Sequence, residues 1–429
     1  MIKDIILRQK EERDFLLSKS YLQRHIEMDV TIYLKTELIK LITGPRRAGK
    51  SIFALQLLKN ENFAYLNFDD ESLTQLFNED KILLALNEVY PNFNFLLLDE
   101  IQNINNWELW INKLHRRGYN LVITGSNAKL LSRELATSLT GRYLQIELFP
   151  FSFKEFLEFH HLKDLDLENL IFKQKQDIFR LLNDYLINGG YPETFVIREI
   201  TKNYISTLFD SILLKDISKR FNVRHNNQLY NLASYLLSNF CNLFSFNQLK
   251  EQLQLQSVVT TQKFCNYLTE PYLFFYLTPF SYKVKQQKKA QKKIYVIDNS
   301  FAEQSFQVST NHGRLLENMI FVELLRRKFV PEFGLFYYQT KNKKEIDFVC
   351  KKGISIVELI QVAYNISDSR TLKREISALI ECSKELNCNN LTIITWEVET
   401  IIIENGKTIK VVPVWKWLLS ESTNVACLH

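Results

Sequence analysis

The stretch from Gly44 to Ser51 combines residue types and spacing suited to binding phosphate groups. It reads Gly44, Pro45, Arg46, Arg47, Ala48, Gly49, Lys50, Ser51: a glycine, four residues, and then Gly-Lys-Ser. A loop of this kind turns its backbone N–H groups inward, where they hold the phosphates of a nucleotide. Lys50 would add positive charge beside the phosphates, and the Ser51 hydroxyl would ligate Mg²⁺. The alternative is a loop with a stray lysine ahead of a helix.

A pair of acids stands at the end of an apolar run later in the chain. Phe93–Leu98 is almost entirely apolar and leads into Asp99 and Glu100. Two adjacent carboxylates at such a position are costly unless a cation or water lies beside them. Asp99 is therefore predicted to hold Mg²⁺, directly or through water, and Glu100 to polarise an attacking water. The alternative is a plain junction between a strand and a loop.

These residues need a parallel sheet to bring them together. The chain alternates apolar runs with helical patterns such as Ser51–Leu58, which predicts an α/β fold with a sheet wound on both sides. Ligands of such sheets bind at the carboxyl ends of the strands, where the polar residues above lie. The predicted strands are Leu38–Thr43, Phe63–Phe68, Phe93–Asp99, Asn120–Asn127 and Arg142–Leu148.

Length and composition set the class of protein. At 429 residues, 46% hydrophobic and 24% charged, the chain predicts two or three globular domains. The net charge of +6 means that any nucleic-acid binding must depend on local clusters. The six cysteines include no CxxC pair, the N-terminus does not read as a signal peptide, and the apolar stretch Pro271–Phe280 is too short to span a bilayer. A cytoplasmic protein without a membrane partner is expected.

Further motifs follow the phosphate loop in order, namely Leu97–Gln102, Ile123–Ser126, Gly141-Arg142, Leu148–Ser152 and Gly189–Glu193. Together with the loop they resemble the AAA+-type ATPases of archaea and bacteria that carry a C-terminal nuclease-like domain and are related to STAND NTPases. The resemblance covers nearly the whole chain. It implies a P-loop ATPase with ATP and Mg²⁺ as ligands. Binding and hydrolysis of ATP would act as a conformational motor or switch.

The resemblance also implies roles for residues at the strand ends. The fourth strand would lie between the first and the third, so that Thr124, Ser126 or Asn127 senses the γ-phosphate. The alternative for these three residues is an ordinary polar strand end.

Two more positions take roles from the resemblance. Arg142 would contact the transition state, in cis or from a neighbouring subunit of a homo-oligomer; the alternative is a structural ion pair with Glu147 or Glu155. Pro192 belongs to a Gly-x-Pro element that would lie near the adenine; a plain turn explains the same residues.

Helical periodicity dominates after residue 155. Phe156–Leu182 predicts a helical lid. Two short helices, Ser245–Leu253 and Val258–Leu268, followed by the strand Tyr272–Leu277, predict a winged helix. The segment Lys283–Lys293 then holds six lysines and no acid, which would suit the phosphates of double-stranded DNA. The alternatives are a winged helix that packs only against protein and a solvated, charged loop.

The C-terminal pattern is helix, three strands, helix, strand, which resembles restriction-endonuclease-like domains. That resemblance implies an Asp followed by Glu-x-Lys on the next strand, with Mg²⁺ held by the two acids. Glu345 and Asp347 share a face. In the run Leu359, Ile360, Gln361, Val362, Ala363, however, Gln361 and Ala363 stand where the acid and the lysine are expected. Glu358 lies an odd offset from Gln361 and so points to the other face. The domain is therefore predicted to lack nuclease chemistry.

The predicted domains are an ATPase core at 1–200, a winged helix at 201–293 and an endonuclease-like domain at 294–429. Three functions remain open at this point: an ATPase motor or switch, an ATP-regulated nuclease, and a nucleotide-dependent scaffold that does not hydrolyse. Glu100 favours hydrolysis over the scaffold, while Gln361 and Ala363 disfavour the nuclease.

Overall fold

The computed structural model describes residues 1–26, 29–126, 141–196, 198–283, 287, 290–304 and 311–420. The chain divides into two units. Unit 1 is Met1–Pro150 with Glu270–Tyr272, and unit 2 is Phe151–Thr269 with Leu273–His429. Residues 151–200, which the sequence analysis assigns to the ATPase core, thus belong to unit 2. The division into three domains at residues 200 and 293 stays a prediction.

The five apolar runs of the N-terminal half form the sheet of unit 1. Most of their side chains are buried, as expected for strands covered on both faces. All pair in parallel, in the order β2-β3-β4-β1-β5. The fourth strand therefore lies between the first and the third, as predicted. The strands are β1 Ile39–Thr43, β2 Phe63–Asn67, β3 Phe95–Asp99, β4 Asn120–Gly125 and β5 Tyr143–Glu147.

Helices of unit 1 connect these strands and bury apolar faces against them. Their spans are α1 Ile2–Ser18, α2 Thr31–Leu34, α3 Lys50–Leu57, α4 Glu71–Gln75, α5 Glu79–Val89 and α6 Trp107–Arg116, with a 3₁₀ turn at Ile101–Asn103. Asp70 and Asn78 cap the starts of α4 and α5 through their side-chain oxygens. The sheet thus lies between helical layers, with its carboxyl edge left to the loops.

The N-terminal helix α1 is fixed to the sheet by polar contacts as well as by apolar packing. Ile5 and Ile6 are buried. Gln9, 3% exposed, donates from Nε2 to the carbonyl oxygen of Asn67 at 3.0 Å and accepts from the Asn67 N–H at 3.0 Å. Both backbone groups at the end of β2 are thereby satisfied.

Unit 2 begins with a helix whose start is set by a capping box between Ser152 and Glu155. Its helices are α7 Phe153–Phe159, α8 Phe172–Asn188, α9 Pro192–Val196, α10 Thr201–Ser211, α11 Asn226–Ser238, α12 Phe246–Gln252, α13 Val258–Thr269, α14 His312–Arg326, α15 Ser369–Leu386 and α16 Val414–Leu419. Ile212–Lys219 continues α10 as a π-helix. No helix within the described ranges is both long and apolar enough to cross a membrane.

A small antiparallel sheet follows the helices α12 and α13. In the described part of the chain it has three strands in the order β6-β8-β7, namely β6 Leu243–Phe244, β7 Phe274–Leu277 and β8 Lys292–Val296. Lys292 and Lys293, predicted to belong to a DNA-contacting loop, are strand residues here. Assignment of this region as a winged helix stays a prediction.

The C-terminal sheet follows the predicted order of elements: α14, three strands, α15 and another strand. A hairpin that the sequence analysis did not predict extends it. Counting only described residues, the order is β13-β14-β12-β11-β10-β9. The strands are β9 Leu335–Gln339, β10 Glu345–Lys352, β11 Ser355–Val362, β12 Leu391–Thr395, β13 Thr400–Glu404 and β14 Lys407–Pro413. Its relation to restriction-endonuclease-like domains stays a prediction.

Candidate active site

The loop after β1 has two positions that require glycine. Gly44 has a φ of 151°, and a Cβ added there would lie 2.0 Å from the carbonyl oxygen of Leu148, just beyond β5. Gly49 has a φ of 88° and is the N-cap of α3. Between them, Arg46 is half-buried, and Arg47 is exposed with a φ of 67°. The loop therefore delivers its backbone to the start of α3, where N–H groups and the helix dipole favour an anion.

Lys50 opens α3 and is only 4% exposed. Its Nζ donates to the carbonyl oxygen of Pro45 at 3.0 Å and lies 3.7 Å from Oε1 of Glu100. The ammonium group is thus held inside the loop beside the second predicted catalytic residue. A phosphate in the loop would offer this lysine a stronger negative partner than the carbonyl of Pro45.

Asp99 brings the two halves of the site together. Its Oδ1 accepts hydrogen bonds from the hydroxyl of Ser51, at 2.9 Å, and from the hydroxyl of Thr124. Its Oδ2 accepts from the Tyr65 hydroxyl at 3.3 Å. Burial raises the pKa of the Asp99 carboxyl to about 6, as does the neighbouring charge of Glu100, while the hydroxyls of Thr124 and Ser51 lower it.

This environment fits a Mg²⁺ ion. Burial and the charge of Glu100 raise the pKa of this carboxyl more than the hydroxyls and Lys50 lower it, and a divalent cation beside it would stabilise the ionised form. Hydroxyl and carboxylate oxygens are the donors that Mg²⁺ prefers, with the remaining positions left to water and phosphate. Ser51 and Asp99 are the residues that would hold the ion. No cluster of three His, Cys, Asp or Glu suited to a metal occurs among the described residues.

Glu100 follows in a left-handed backbone conformation, with a φ of 50°. Its N–H donates to the Thr124 hydroxyl at 3.1 Å, and its Oε2 accepts from the side-chain amide of Gln102. The same amide lies 3.5 Å from the Ser126 hydroxyl, which is 3% exposed. Thr124, Ser126 and Glu100 therefore form one hydrogen-bonded group; Asn127 lies outside the described residues.

Arg24 contacts the phosphate loop, and the sequence did not predict this contact. Its guanidinium donates to the carbonyl oxygen of Ala48 at 2.9 Å and to that of Phe149 at 2.7 Å. It thereby connects the phosphate loop to the segment after β5. Tyr65, whose hydroxyl donates to Asp99, was missed as well. Neither Arg24 nor Tyr65 belongs to a recognisable spacing, because each acts through a contact between distant parts of the sequence. Gln102 stands in the motif Leu97–Gln102, but its hydrogen bond to Glu100 was not predicted.

Tyr272 is the most distant of the missed residues. Its hydroxyl lies 3.0 Å from Oγ1 of Thr43 and 3.0 Å from Oε1 of Glu147, at the carboxyl ends of β1 and β5. Thr43 immediately precedes the phosphate loop. A short segment from a remote part of the chain therefore supports the point where the loop begins.

Arg142 is not brought to this site within the chain. It precedes β5, its side chain is exposed, and its carbonyl oxygen accepts from the N–H of Ile39 at 3.0 Å. Ile39 begins β1, whereas the phosphate loop follows the end of β1. Since β1 and β5 are parallel, Arg142 lies at the opposite edge of the sheet from Lys50. A role in trans stays a prediction.

Pro192 belongs to unit 2, where it begins α9. The preceding glycines have structural partners there. Gly190 donates its N–H to Oδ2 of Asp298 at 2.7 Å, and its carbonyl oxygen accepts from Phe151. A Cβ on Gly189 would lie 1.6 Å from Oδ1 of Asp298. These close contacts explain why glycine occupies both positions. Contact of Pro192 with adenine stays a prediction.

Comparison with known families agrees with the geometry of unit 1. A family described as AAA domain matches residues 36–157, which contain the loop, Asp99, Glu100 and Ser126. Two domains of unknown function match residues 179–312 and 312–417.

Two relatives match most of the chain. Uncharacterized protein MJ1544 of Methanocaldococcus jannaschii is 36% identical over 92% of this chain and 91% of its own length. An uncharacterized protein of Haemophilus influenzae is 32% identical over 82% of this chain and 89% of its own.

Among solved structures, the Walker-type ATPase of Pyrococcus abyssi matches 67% of this chain and 99% of its own, with 13% identity and a TM-score of 0.44. A match at that level carries no argument about function. Both relatives of higher identity are named only as uncharacterized proteins.

Proposed function

This chain belongs to the family of uncharacterized protein MJ1544 and its Haemophilus influenzae relative, and because its residues 36–157 match an AAA domain, we propose that it is a Mg²⁺-dependent ATPase. The observation that carries the proposal is the hydrogen bond from the Ser51 hydroxyl to Asp99 beside the glycine loop. It places a hydroxyl and a carboxylate next to the backbone N–H groups that hold phosphates. The ATP-binding residues proposed here are those of the loop from Gly44 to Ser51.

Each residue of the site has a physical task in binding. The loop N–H groups and the start of α3 bind the phosphates, and Lys50 neutralises their charge. Ser51 and Asp99 would hold Mg²⁺, which would supply positive charge beside the phosphates. The hydrogen bond from Thr124 fixes the orientation of the Asp99 carboxylate.

Glu100 is the residue proposed to activate water. Its side chain lies within 3.7 Å of the Lys50 ammonium and is held by Gln102. As a carboxylate it accepts a proton or orients the water for attack in line with the leaving oxygen. Ser126 belongs to the same hydrogen-bonded group, which supports its proposed role in sensing the terminal phosphate.

The larger proposal is that ATP binding and hydrolysis act as a conformational motor or switch. A helical lid in the Phe156–Leu182 region and an arginine from a neighbouring subunit of a homo-oligomer belong to this proposal. Contact with duplex DNA through the Lys283–Lys293 segment stays a prediction, and Lys293 itself is 3% exposed and therefore not available to phosphates. The non-hydrolysing scaffold is the alternative that the test below separates.

The test compares wild type with Lys50→Ala in ATP binding by calorimetry and in phosphate release. Loss of the ammonium should weaken binding of Mg²⁺-ATP or slow turnover by at least about tenfold, which corresponds to about 1.4 kcal/mol. Lys59→Ala is the matched control, since Lys59 is exposed just after α3.

Binding and turnover in a folded Lys50→Ala variant equal to those of Lys59→Ala would refute the proposal. ATP binding without hydrolysis in wild type would leave the scaffold as the function.

A further inference from the structure

Lys293 is the most enclosed cation described in unit 2. It lies in β8 and is 3% exposed. Its Nζ is 2.9 Å from Oε1 of Glu317, 2.8 Å from Oε1 of Glu345 and 3.0 Å from Oδ1 of Asp347. Glu317 belongs to α14, and the other two acids belong to β10. A residue from the small sheet thus joins three carboxylates of the C-terminal region.

The numbers of donors and acceptors match. An ammonium group has three N–H donors and no acceptor. Three carboxylate oxygens lie within hydrogen-bond distance of it, one from each acid. Burial alone lowers the pKa of Lys293, but the charges of Glu317, Asp347 and Glu345 raise it well above its ordinary value. The lysine is therefore charged throughout the physiological range.

Two acids of this cluster, formed by Lys293, Glu317, Glu345 and Asp347, also accept hydrogen bonds from groups other than the lysine. The Tyr295 hydroxyl donates to Oε1 of Glu317 at 2.7 Å, and the Val362 N–H donates to Oδ2 of Asp347 at 2.9 Å. Each of these bonds fixes a carboxylate in the orientation in which it meets the lysine. Two of the three carboxylates are therefore held in place by groups other than the lysine.

Gln361 stands where the endonuclease-like pattern has an acid, and its hydrogen bonds require an amide. Its Nε2 donates to Glu375 at 2.6 Å, and its Oε1 accepts from the Asp347 N–H at 3.3 Å. A carboxylate at this position could not donate to Glu375. Glu358 accepts from the Thr392 hydroxyl at 2.6 Å, away from this group, as its odd offset predicted.

The cluster borders a cavity of about 530 Å³. Glu317, Glu345 and Asp347 line it, together with Arg314, Lys343 and Arg374. An ion pair sealed inside a core would be inaccessible, but here a small ion from solvent can reach the carboxylates. The position of the lysine therefore decides what the cavity can bind.

The predicted endonuclease-like fold implies Mg²⁺ held by Asp347 and an acid on the next strand, and the residues present do not fit it. Mg²⁺ requires oxygens at about 2.0–2.1 Å in octahedral geometry. The space between Glu317, Glu345 and Asp347 is filled by an ammonium group, and a second cation there would be repelled by it. We propose that Lys293 is the resident cation of this cavity and takes the place of a divalent metal.

The proposal is tested by removing the lysine from the full chain without nucleotide. Lys293→Ala leaves three carboxylates around a vacated position, so the variant should gain one binding site for Mn²⁺, at least about tenfold tighter than any binding at these acids in wild type. Terbium gives a second readout, because Tyr295 contacts Glu317 and would sensitise emission from a nearby lanthanide.

Lys292→Ala is the matched control. The neighbouring lysine lies on the same strand and points to the other face, so its removal should add no metal site. Adding Asp347→Asn to Lys293→Ala should remove the new site. A Lys293→Ala variant that binds no more Mn²⁺ than Lys292→Ala would overturn the proposal.

Loss of Lys293 leaves uncompensated buried acids, so the variant is expected to be less stable. Mn²⁺ should restore its melting temperature toward that of wild type and leave the wild-type value unchanged. Mn²⁺ binding by the wild-type protein tests the proposal even if Lys293→Ala fails to fold. Mn²⁺ binding by wild type that disappears in Asp347→Asn would show that the cavity holds a metal despite the lysine.

Discussion

Glu100 is the residue on which hydrolysis depends in the proposed mechanism. Glu100→Gln keeps the size of the side chain and leaves Asp99 and Ser51 to hold Mg²⁺. ATP affinity should therefore remain within a few-fold of wild type, while turnover should fall by about 100-fold or more, as is typical for loss of a general base. A single-turnover assay on the variant measures the chemical step directly.

Two outcomes of that experiment would relocate the catalytic role. Wild-type turnover in Glu100→Gln would assign water activation to another group. Loss of ATP binding together with turnover would show instead that the side chain supports the loop, through its contact with Lys50.

Lys40 is a buried lysine that should make the free energy of unfolding depend on pH. It lies in the middle of β1, is fully buried, and donates to the carbonyl oxygen of Thr36 at 2.6 Å and to the side chain of Asn120. Burial lowers its pKa to about 8. Between pH 8 and the ordinary value near 10.5, the unfolded chain binds a proton that the folded chain does not.

The free energy of unfolding should therefore rise with pH in this window, by up to about 3 kcal/mol from this group. Lys40→Met should remove that contribution. Urea unfolding of both proteins at pH 7.5 and pH 10 measures it, since the other titrating groups cancel in the difference. Equal pH dependence in the two proteins would contradict a depressed lysine pKa.

At the scale of elements, the end of α8 depends on the absence of a side chain. Gly189 has a φ of 73°, and an added Cβ would lie 1.6 Å from Oδ1 of Asp298, which also accepts from Ser300. Gly189→Ala should lower the free energy of unfolding of unit 2 by at least about 2 kcal/mol. About 1–3 kcal/mol of this arises from the backbone conformation, φ 73° and ψ −157°, which residues with a Cβ rarely adopt, and the rest from displacing Asp298.

Gly353→Ala is the comparison variant for that experiment. Gly353 has a φ of 59° in the same unit, and nothing lies within 4 Å of an added Cβ. Gly353→Ala should therefore lower the free energy of unfolding only through the backbone conformation, without any contribution from a steric clash. Equal stability of the two variants in urea unfolding would show that the Asp298 contact contributes nothing.

The strands of unit 1 could be predicted within about three residues, because each is a short apolar run bounded by polar residues. The chemistry of Lys50, Ser51, Asp99 and Glu100 could also be placed, since those residues follow directly on strands β1 and β3. Contacts made across long stretches of sequence could not be predicted. Tyr272 reaches Thr43 across 229 positions, and no local pattern encodes such a pairing.

Lys293 is the sharpest example of this limit. In the sequence it ends a lysine-rich segment, so its charge suggested contact with phosphates. In the structure the alternation of β8 turns it into the carboxylate cluster, while Lys292 faces the other way. Local composition identified the charge correctly but could not identify its partners, because Glu317, Glu345 and Asp347 come from other elements.

For the whole molecule, one chain is proposed to hydrolyse ATP while carrying a nuclease-like cavity that does not cut nucleic acid. This 429-residue chain, incubated with Mg²⁺ or Mn²⁺, should release phosphate from ATP and leave plasmid, single-stranded DNA and RNA intact. The physical reason is that the carboxylates of Glu345 and Asp347 already bind Lys293, so no activated water forms there.

Both reactions are measured on one preparation, because each then controls for the other. Lys50→Ala should lose phosphate release, which shows that the ATPase is intrinsic. Any cleavage of nucleic acid is compared between wild type and Asp347→Asn. Cleavage that persists in Asp347→Asn comes from another source, since Asp347 occupies the position a metal ligand would need. Cleavage that vanishes in that variant would mean that the cavity cuts phosphodiester bonds, and that Lys293 moves aside to let it do so.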